Sequence, residues 1–490
     1  MMERMRRAAW AILLLTLPVT SFPYFPDFMG LSTAVVRPLA LYPLIVLTAI
    51  EILPSVLRKE RLPAAAAPLA AFCLAAAAAT VFSLVDPPFP LAGQTPLSRA
   101  LRAFVSLGIG LAFLYSAWRM SARKDGGVQA ARWILIGSML SMLWGGLQAV
   151  RLYAGWPGYE QMNILHRVFS VRDMHLYRVT GLAYEPSWFA DHLVVLTIPL
   201  LLASLATSQE LFSKGRRGLF ITCFLLVLSL ANLLFTYSRG GIAVCAGTVV
   251  LLLMLEGFRR GSEFRRWFRA EDVPNRAQKD RRRVKSLRWG GALIGGMAVL
   301  IGIGYILSRN DYFLVLWSRL GRISNLRNYL VSIGSGPRLA LWQAGLGVFM
   351  EHPFVGVGLG QSGFWMWDQL PVWVFNYRSE IMETFASASM GFPNPKNLWI
   401  KLLAETGLLG IMIFGIFFVL VILLAFHLYL HGDRRQRFLG LFGILSLTAI
   451  MIEGFSLDSF ANPTMWISAG MILGAIRALP PGSDVGASDA

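Results

Sequence analysis

Residues 407–430 read GLLGIMIFGIFFVLVILLAFHLYL, a run that contains no Asp, Glu, Lys or Arg. Roughly 20 consecutive apolar residues are needed for a helix to cross a bilayer. The whole 490-residue chain continues this pattern, because 56% of its residues are hydrophobic and only 15% are charged. Such a composition is too apolar for a soluble protein of this size. The sequence therefore predicts an all-α, polytopic integral membrane protein.

Similar apolar runs recur along the chain and predict about twelve transmembrane spans. They lie near residues 8–21, 31–53, 63–85, 99–120, 130–152, 186–206, 218–237, 239–257, 289–308, 407–430, 437–454 and 464–479. The first run follows a basic start, as a signal peptide would, but no small-residue cleavage site follows it, so we expect an uncleaved signal anchor. The three cysteines, Cys73, Cys223 and Cys245, fall inside spans and indicate neither disulfides nor a metal site.

The formal net charge of +18 could indicate a nucleic-acid partner or a membrane topology. Basic clusters occupy alternate loops, which is the positive-inside pattern and places both termini in the cytoplasm. These clusters contain Arg4, Arg6 and Arg7, then Arg58, Lys59 and Arg61, then Arg119, Arg123 and Lys124, then Lys214, Arg216 and Arg217, then Arg434, Arg435 and Arg437. The charge thus predicts contact with membrane lipids and no nucleic acid.

Four regions follow from this topology. Residues 1–308 form spans one to nine with a basic cytoplasmic loop at 258–288, residues 309–395 form a large outer loop, residues 396–479 form spans ten to twelve, and residues 480–490 form a disordered cytoplasmic tail. A smaller outer loop covers residues 153–185. We expect the large outer loop to carry active-site residues on the exterior side of the membrane.

The two outer loops carry an unusual number of cations for that side of a membrane. They and the adjoining turns contain Arg151, Arg167, Arg172, Arg178, Arg239, Arg309, Arg319, Arg322, Arg327, Arg338, Arg378, Lys396 and Lys401. Each one singly could pair with lipid headgroups. Because Arg binds phosphate oxygens bidentately, the whole cluster predicts a phosphate-bearing lipid substrate.

Two of these arginines stand in motifs that favour an anion site. Arg239 lies in Ser238-Arg239-Gly240-Gly241, a tight turn between two spans, where the glycines permit positive φ and close backbone approach. Arg338 follows Pro337 at the predicted start of a helix that ends before Pro353. A cation in a first turn opposes the helix dipole unless an anion binds there. Arg239 could alternatively extend to lipid headgroups.

Further polar residues enter the membrane at the start of two spans. Asn397, Lys401 and Glu405 recur every four residues and share one helix face, where Lys401 and Glu405 could simply form a salt bridge. Glu185 precedes Pro186 and shares a face with His192, with Trp188 between them. Ionisable groups at this depth favour function, so Glu185 is a candidate general base or else a helix cap.

Residues 336–358, GPRLALWQAGLGVFMEHPFVGVG, and 397–410, NLWIKLLAETGLLG, together with the Ser238-Arg239-Gly240 turn, resemble the O-antigen ligase and Wzy-type polymerase superfamily. The resemblance implies a GT-C class glycosyltransferase that uses an undecaprenyl pyrophosphate-linked oligosaccharide. It implies neither a metal nor another cofactor, and it implies a chain-length regulator as a further partner. By resemblance, Arg239 and Arg338 bind the pyrophosphate.

One residue departs from the family pattern. Ligases of the family carry His followed by Asn at the start of the tenth span, whereas this chain has Lys396 and Asn397. A protonated Lys is no base, so the base role moves to Glu185 and the polymerase is favoured over the ligase. A lipid-linked oligosaccharide flippase is the alternative from another class. The predicted catalytic residues are Glu185, Arg239, Arg338 and Lys396, and the predicted substrate-binding residues are Arg178, His192, Asn397, Lys401, Glu405 and Trp342.

The tryptophans of the large outer loop have two possible roles. Trp365, Trp367 and Trp373 could stack on sugar rings or could anchor the loop at the membrane interface.

Overall fold

The computed structural model describes residues 1–24, 36–60, 62–154, 156–269, 325–377 and 392–477, together with residues 308, 314, 318, 381 and 385. Contacts divide the chain into two units, residues 1–246 with 337–490, and residues 247–336. Among the described residues the only extended pairings are the isolated bridges Ser21–Arg37 and Leu91–Gln94. The predicted all-α class is confirmed for this part of the chain.

The helices of the amino-terminal half are labelled in chain order. They are α1 (Met2–Thr16), α2 (Leu41–Leu57), α3 (Ala64–Val85), α4 (Pro96–Ser121), α5 (Gly126–Tyr153), α6 (Tyr159–His166), α7 (Pro186–Thr207), α8 (Gly215–Phe235) and α9 (Arg239–Arg269).

The helices of the carboxy-terminal half continue the series. They are α10 (Leu326–Leu330), α11 (Gly336–Glu351), α12 (Ser362–Trp365), α13 (Leu398–His431), α14 (Arg434–Glu453) and α15 (Pro463–Arg477), and a 3₁₀ helix covers Val372–Tyr377.

Eight of the described helices are long and apolar enough to cross a membrane, namely α3, α4, α5, α7, α8, α9, α13 and α14. Helices α2 and α15 are shorter apolar helices. These helices confirm a polytopic membrane protein. The predicted ninth span, 289–308, lies outside the described residues except for Ser308. The predicted span at 31–53 begins later than expected, because α2 starts at Leu41.

Helix α7 is the most enclosed of the eight candidate spans, with 89% of its apolar window buried. It packs against α14 and α8, while α4 packs along α15 and α13 along α14 and α3. Because lipid offers no hydrophobic driving force between helices, such interfaces rely on close packing and internal hydrogen bonds. The helices of the first unit thereby bring the starts of α7, α13 and α15 and the end of α14 near one another.

The tenth predicted span is a broken helix. It begins at Leu398, earlier than predicted, and Gly407 interrupts it with φ 60° and ψ −166°, a conformation essentially restricted to glycine. The segment 353–358 hydrogen-bonds across the interruption: Leu408 N donates to Pro353 O at 2.8 Å, and Gly358 N donates to Glu405 O at 2.9 Å. The glycine-rich stretch after Pro353 thus satisfies backbone groups that a helix break exposes in lipid.

In the second unit, Asn325 caps α10 by accepting a hydrogen bond from Asn328 N at 2.8 Å, as an N-cap side chain typically does. Glu256 and Arg259 form an ion pair at 2.7 Å within α9.

Candidate active site

The tight turn predicted at Ser238 connects α8, which ends at Phe235, to α9, which begins at Arg239. Its strained residue is Tyr237, with φ 50°, and not Gly240 or Gly241 as expected, since both glycines lie in the first turn of α9. Gly241 instead allows close packing, because a Cβ there would lie 2.8 Å from Ala190 Cβ of α7. The turn therefore fixes Arg239 beside α7.

Arg178 contacts the same turn. Its Nε donates to Thr236 O at 2.7 Å, and the neighbouring Val179 N donates to Phe235 O at 2.9 Å. These bonds satisfy carbonyls at the end of α8 that have no partner within the helix. Arg178 thus ties the smaller outer loop to the turn that carries Arg239.

The loop that connects α14 to α15 contacts several of the predicted site residues, although its own sequence contains no motif that predicts this. We call residues 454–462 the collecting loop. Arg338 Nη1 donates to Ser456 Oγ at 3.3 Å, and the Trp342 ring lies 6.1 Å from that of Phe455. Ser456 Oγ also lies 3.6 Å from where a Cβ on Gly240 would stand. The collecting loop thus brings Arg338 close to the turn that contains Arg239.

The start of α13 joins the collecting loop as well. Asn397 caps α13 by accepting from Trp399 N at 3.0 Å and Ile400 N at 3.1 Å, while its buried Nδ2 makes no hydrogen bond to the described residues. Lys401 Nζ donates to Asp458 O at 3.0 Å. Lys396 is exposed and adopts φ 49° just before the cap. Three elements distant in sequence therefore meet at the collecting loop.

Lys401 and Glu405 lie within electrostatic reach of each other, as the sequence suggests, but their side chains form hydrogen bonds with different partners. Glu405 is buried, and its Oε1 accepts from Ser362 Oγ at 2.9 Å. Arg99, at the start of α4, lies within electrostatic reach of Glu405. Because a buried carboxylate needs compensation, Glu405 mainly stabilises the packing of the glycine-rich stretch on α13.

Two buried carboxylates beneath the collecting loop were given no role in the sequence analysis. Asp191 of α7 accepts from Asn462 Nδ2 and Thr464 Oγ1, both at 3.2 Å. Glu453, the last residue of α14, lies within electrostatic reach of both Asp191 and Arg338. A carboxylate inside an apolar helix is expensive and indicates function by default. That signal was present at both positions in the sequence.

The side chains of Glu185 and His192 contact different residues. Glu185 occupies the N-cap position of α7 without a side-chain cap bond, and its Oε1 accepts from Arg172 Nη1 at 2.9 Å. His192, at the far end of the same short segment, is buried with Nε2 2.9 Å from Ser138 Oγ. The Glu185 side chain is accordingly partly exposed, whereas His192 is enclosed by α5 and α7.

The tryptophans of the large outer loop divide into two groups. Trp365 and Trp373 pack against a buried cluster that includes Leu341, Val348 and Met366, and Trp373 Nε1 donates to Gln343 Oε1 at 3.1 Å. Both therefore belong largely to the interior of this loop. Trp367 remains exposed. Arg309, Arg319, Arg322 and Arg378 lie outside the described residues.

The smaller outer loop is anchored on a buried histidine. Trp144 Nε1 donates to His166 Nδ1 at 3.3 Å, and burial lowers the pKa of His166 from 6.5 to about 4. The imidazole is therefore neutral at pH 7, where its Nδ1 acts as an acceptor.

Acid is expected to loosen this loop. When the pH falls from 7 to 4.5, an opened loop binds a proton at His166 more readily than the closed loop does, so the closed form loses about 2 kcal/mol of stability. Amide hydrogen exchange of residues 162–170, corrected for intrinsic rates, should reveal lower protection at pH 4.5. His166→Gln should flatten this dependence. Equal protection at both pH values in the wild type would refute the assignment.

Comparison with protein-family models gives a match in the central and carboxy-terminal part of the chain. Residues 224–415 match the family model described as O-antigen ligase, Wzy_C. No curated protein matches the chain. The matched region contains Arg239, Arg338 and the stretch from Lys396 to Glu405, but it ends before the collecting loop and begins after Glu185.

Proposed function

We propose, from the O-antigen ligase family domain that this membrane protein carries at residues 224–415, that it is a polysaccharide polymerase. It moves a growing glycan from undecaprenyl pyrophosphate to a lipid-linked repeat unit on the outer face of the bacterial cytoplasmic membrane, with both termini in the cytoplasm. The observation that carries this proposal is the approach of Arg338 and the Arg239 turn to Ser456. Arg338 contacts this loop through its guanidinium group and the turn that carries Arg239 lies beside it, so the two arginines together suit a pyrophosphate.

The reaction is a metal-independent, inverting glycosyl transfer. The acceptor hydroxyl attacks the anomeric carbon of the donor glycan, and the bond from that carbon to the pyrophosphate oxygen breaks. Glu185 takes the hydroxyl proton, and the electron pair leaves with the lipid pyrophosphate. Arg239 and Arg338 offset the negative charge that develops on this leaving group, which is where preorganised charge lowers a barrier most. Lys396, exposed beside the start of α13, assists with phosphate or sugar.

The residue at position 396 favours a polymerase over a ligase. Lys396 stands where the ligases that this chain resembles have a histidine, and its exposed position provides none of the desolvation that a lysine needs to act as a base. Glu185, in contrast, is a carboxylate at the outer surface and can accept a proton. The acceptor is then the non-reducing sugar hydroxyl of a second lipid-linked repeat unit. A ligase would instead transfer the glycan to lipid A core or another acceptor.

The acceptor requirement tests this choice. The purified protein in nanodiscs is incubated with a lipid pyrophosphate-linked repeat unit alone, and in parallel with that donor plus lipid A core. A ladder of products from the donor alone supports the polymerase. Transfer that occurs only after lipid A core is added would establish the ligase. Movement of the lipid-linked oligosaccharide across the bilayer without any new glycosidic bond would establish the flippase.

The proposed base gives a specific prediction. Glu185→Gln should lower the polymerisation rate about a hundredfold, because general base catalysis typically contributes that much or more. The fold should be retained, since the Glu185 side chain is 39% exposed. Asp86→Asn, an exposed carboxylate-to-amide change just after α3, serves as the control and should leave the rate unchanged. An unchanged rate in Glu185→Gln would remove the base role from this residue.

A further inference from the structure

The smaller outer loop carries an open groove whose lining includes none of the residues of the collecting loop. The groove has a volume of about 680 Å³ and is lined by residues that include Tyr159, Arg167, Arg172, Asp173, His175 and Tyr177. Sites for small organic ligands commonly measure about 300–1,000 Å³. We call it the outer-loop groove, and its size is suitable for a short oligosaccharide.

The walls of the outer-loop groove are held in place before any ligand arrives. Met174 N donates to Asn163 Oδ1 at 2.8 Å, and Tyr159 OH donates to Met174 O at 3.1 Å. Val171 N donates to Ser21 O at 3.1 Å, which fixes the loop to the segment after α1. Preorganisation of this kind lowers the entropic cost of binding.

The charge of the outer-loop groove argues against a free anion as its ligand. Both lining arginines are already paired with carboxylates, because Arg167 forms a two-point ion pair with Asp173 and Arg172 pairs with Glu185 at 2.9 Å. Burial and the nearby Arg178 and Arg172 lower the pKa of His175, which keeps it neutral at pH 7. The groove is therefore close to neutral overall, unlike the pair of arginines at the collecting loop.

The remaining lining chemistry suits a neutral sugar. Paired guanidinium and carboxylate groups present planar donors and acceptors that match neighbouring hydroxyls. Tyr177 exposes 75% of its surface and offers an aromatic face with a polar end. Tyr159 contributes a second ring, which is held by the Arg151 guanidinium 4.4 Å from its centre. Aromatic faces with a few convergent polar groups are typical of sites for polyhydroxylated ligands.

One residue connects the outer-loop groove with the proposed base. Arg172 lines the groove and donates to Glu185 at 2.9 Å, so a ligand that contacts Arg172 in the groove is one side chain away from that carboxylate. We propose that the outer-loop groove binds the neutral sugar units of the acceptor glycan and presents its terminal hydroxyl to Glu185. This inference rests on the proposed polymerase function and adds a location for its acceptor.

Direct binding tests the proposal without requiring turnover. The probe is the free repeat-unit oligosaccharide, cleaved from its lipid and titrated by calorimetry into the whole protein in nanodiscs. Tyr177→Ala should weaken binding at least tenfold, because it removes an exposed aromatic face. Tyr24→Ala is the matched control, since Tyr24 is also an exposed outer tyrosine (65%) but does not line the groove. Equal binding by wild type and Tyr177→Ala would overturn the proposal.

A second variant tests the neutrality argument. Asp173→Asn leaves Arg167 without its carboxylate partner, so this variant should bind the oligosaccharide more weakly and should gain affinity for inorganic pyrophosphate at the groove. In the wild type, pyrophosphate should not displace the oligosaccharide. Displacement would identify the groove as an anion site and overturn the proposal.

The kinetic result separates this proposal from the proposed function. If the protein polymerises, Tyr177→Ala should raise KM for the acceptor about tenfold and leave release of lipid pyrophosphate at saturating acceptor nearly unchanged. An unchanged KM would overturn the acceptor site while the polymerase stands. Oligosaccharide binding that depends on Tyr177 in a protein with no transferase activity would support the groove as a glycan site and overturn the polymerase.

Discussion

Replacing Arg338 with alanine is expected to lower polymer formation roughly a thousandfold, so that the ladder of products disappears. Removing a single preorganised charge that stabilises a developing anion typically costs about 10²–10³ in rate, and Arg338 would contribute a bidentate contact to the pyrophosphate. Its guanidinium contacts Ser456 Oγ at 3.3 Å and lies within electrostatic reach of Glu453. The measurement is the rate of ladder formation from a lipid pyrophosphate-linked repeat unit.

Two further variants separate a chemical defect from a folding defect. Arg338→Lys retains the positive charge but lacks the planar guanidinium group that can form two parallel hydrogen bonds. This variant should therefore be more active than Arg338→Ala and less active than the wild type. Arg434→Ala removes an exposed arginine at the opposite end of α14 from Glu453 and should retain full activity. A ladder of normal intensity in Arg338→Ala would remove Arg338 from the pyrophosphate site.

Replacing Gly407 with alanine is expected to destabilise the protein by at least about 3 kcal/mol. Its φ and ψ lie in a region that side chains strongly disfavour, which by itself costs about 1–3 kcal/mol. In addition, a Cβ would lie only 2.3 Å from both C and O of Phe354, so the segment 353–358 would have to move. Thermal unfolding followed by the monodisperse fraction in detergent should reveal a large drop in Tm.

The same helix supplies the control for this substitution. Gly415 lies eight residues further along α13, and a Cβ added there would meet no neighbouring side chain or loop within 4 Å. Gly415→Ala should therefore change Tm little, because it adds one methyl group to open space in a regular helix. Similar Tm values for the Gly407→Ala variant and the wild type would show that the break at Gly407 is not required for folding.

The membrane architecture could be predicted from the sequence because each span is encoded locally. An apolar run of about 20 residues predicts a membrane-spanning helix independently of the rest of the chain, because a helix satisfies its backbone hydrogen bonds within the segment. The positions of prolines also predicted helix boundaries: Pro337 and Pro353 delimit α11, and Pro186 begins α7. The turn before Arg239 was also predictable, because a polar tetrapeptide with two glycines interrupts an apolar run.

The break in α13 could not be predicted, since its cause lies elsewhere in the chain. Gly407 is followed in the same helix by Gly410 and Gly415, which do not interrupt it, and the break exists because segment 353–358 supplies hydrogen bonds to the interrupted backbone. The glycines of that segment do not form a sequence motif that predicts a contact with α13. Only the fold places them against Ala404 and Glu405.

The same limit applies to the candidate site. Asp191 and Glu453 are far apart in sequence, and the distance between them depends on the packing of α7 against α14. The collecting loop has an ordinary composition, so its contacts with Arg338, Lys401 and Asp191 follow from tertiary structure alone. Sequence periodicity could place Lys401 and Glu405 on one face but could not identify their different partners.

The stoichiometry of lipid pyrophosphate release tests the central claim most directly. The purified protein is incubated in nanodiscs with a lipid pyrophosphate-linked repeat unit and a metal chelator, and both released undecaprenyl pyrophosphate and new glycosidic bonds are quantified. A polymerase that works without metal should release one lipid pyrophosphate for each bond formed. Release without new bonds, or no release from a folded protein with its native donor, would contradict the account.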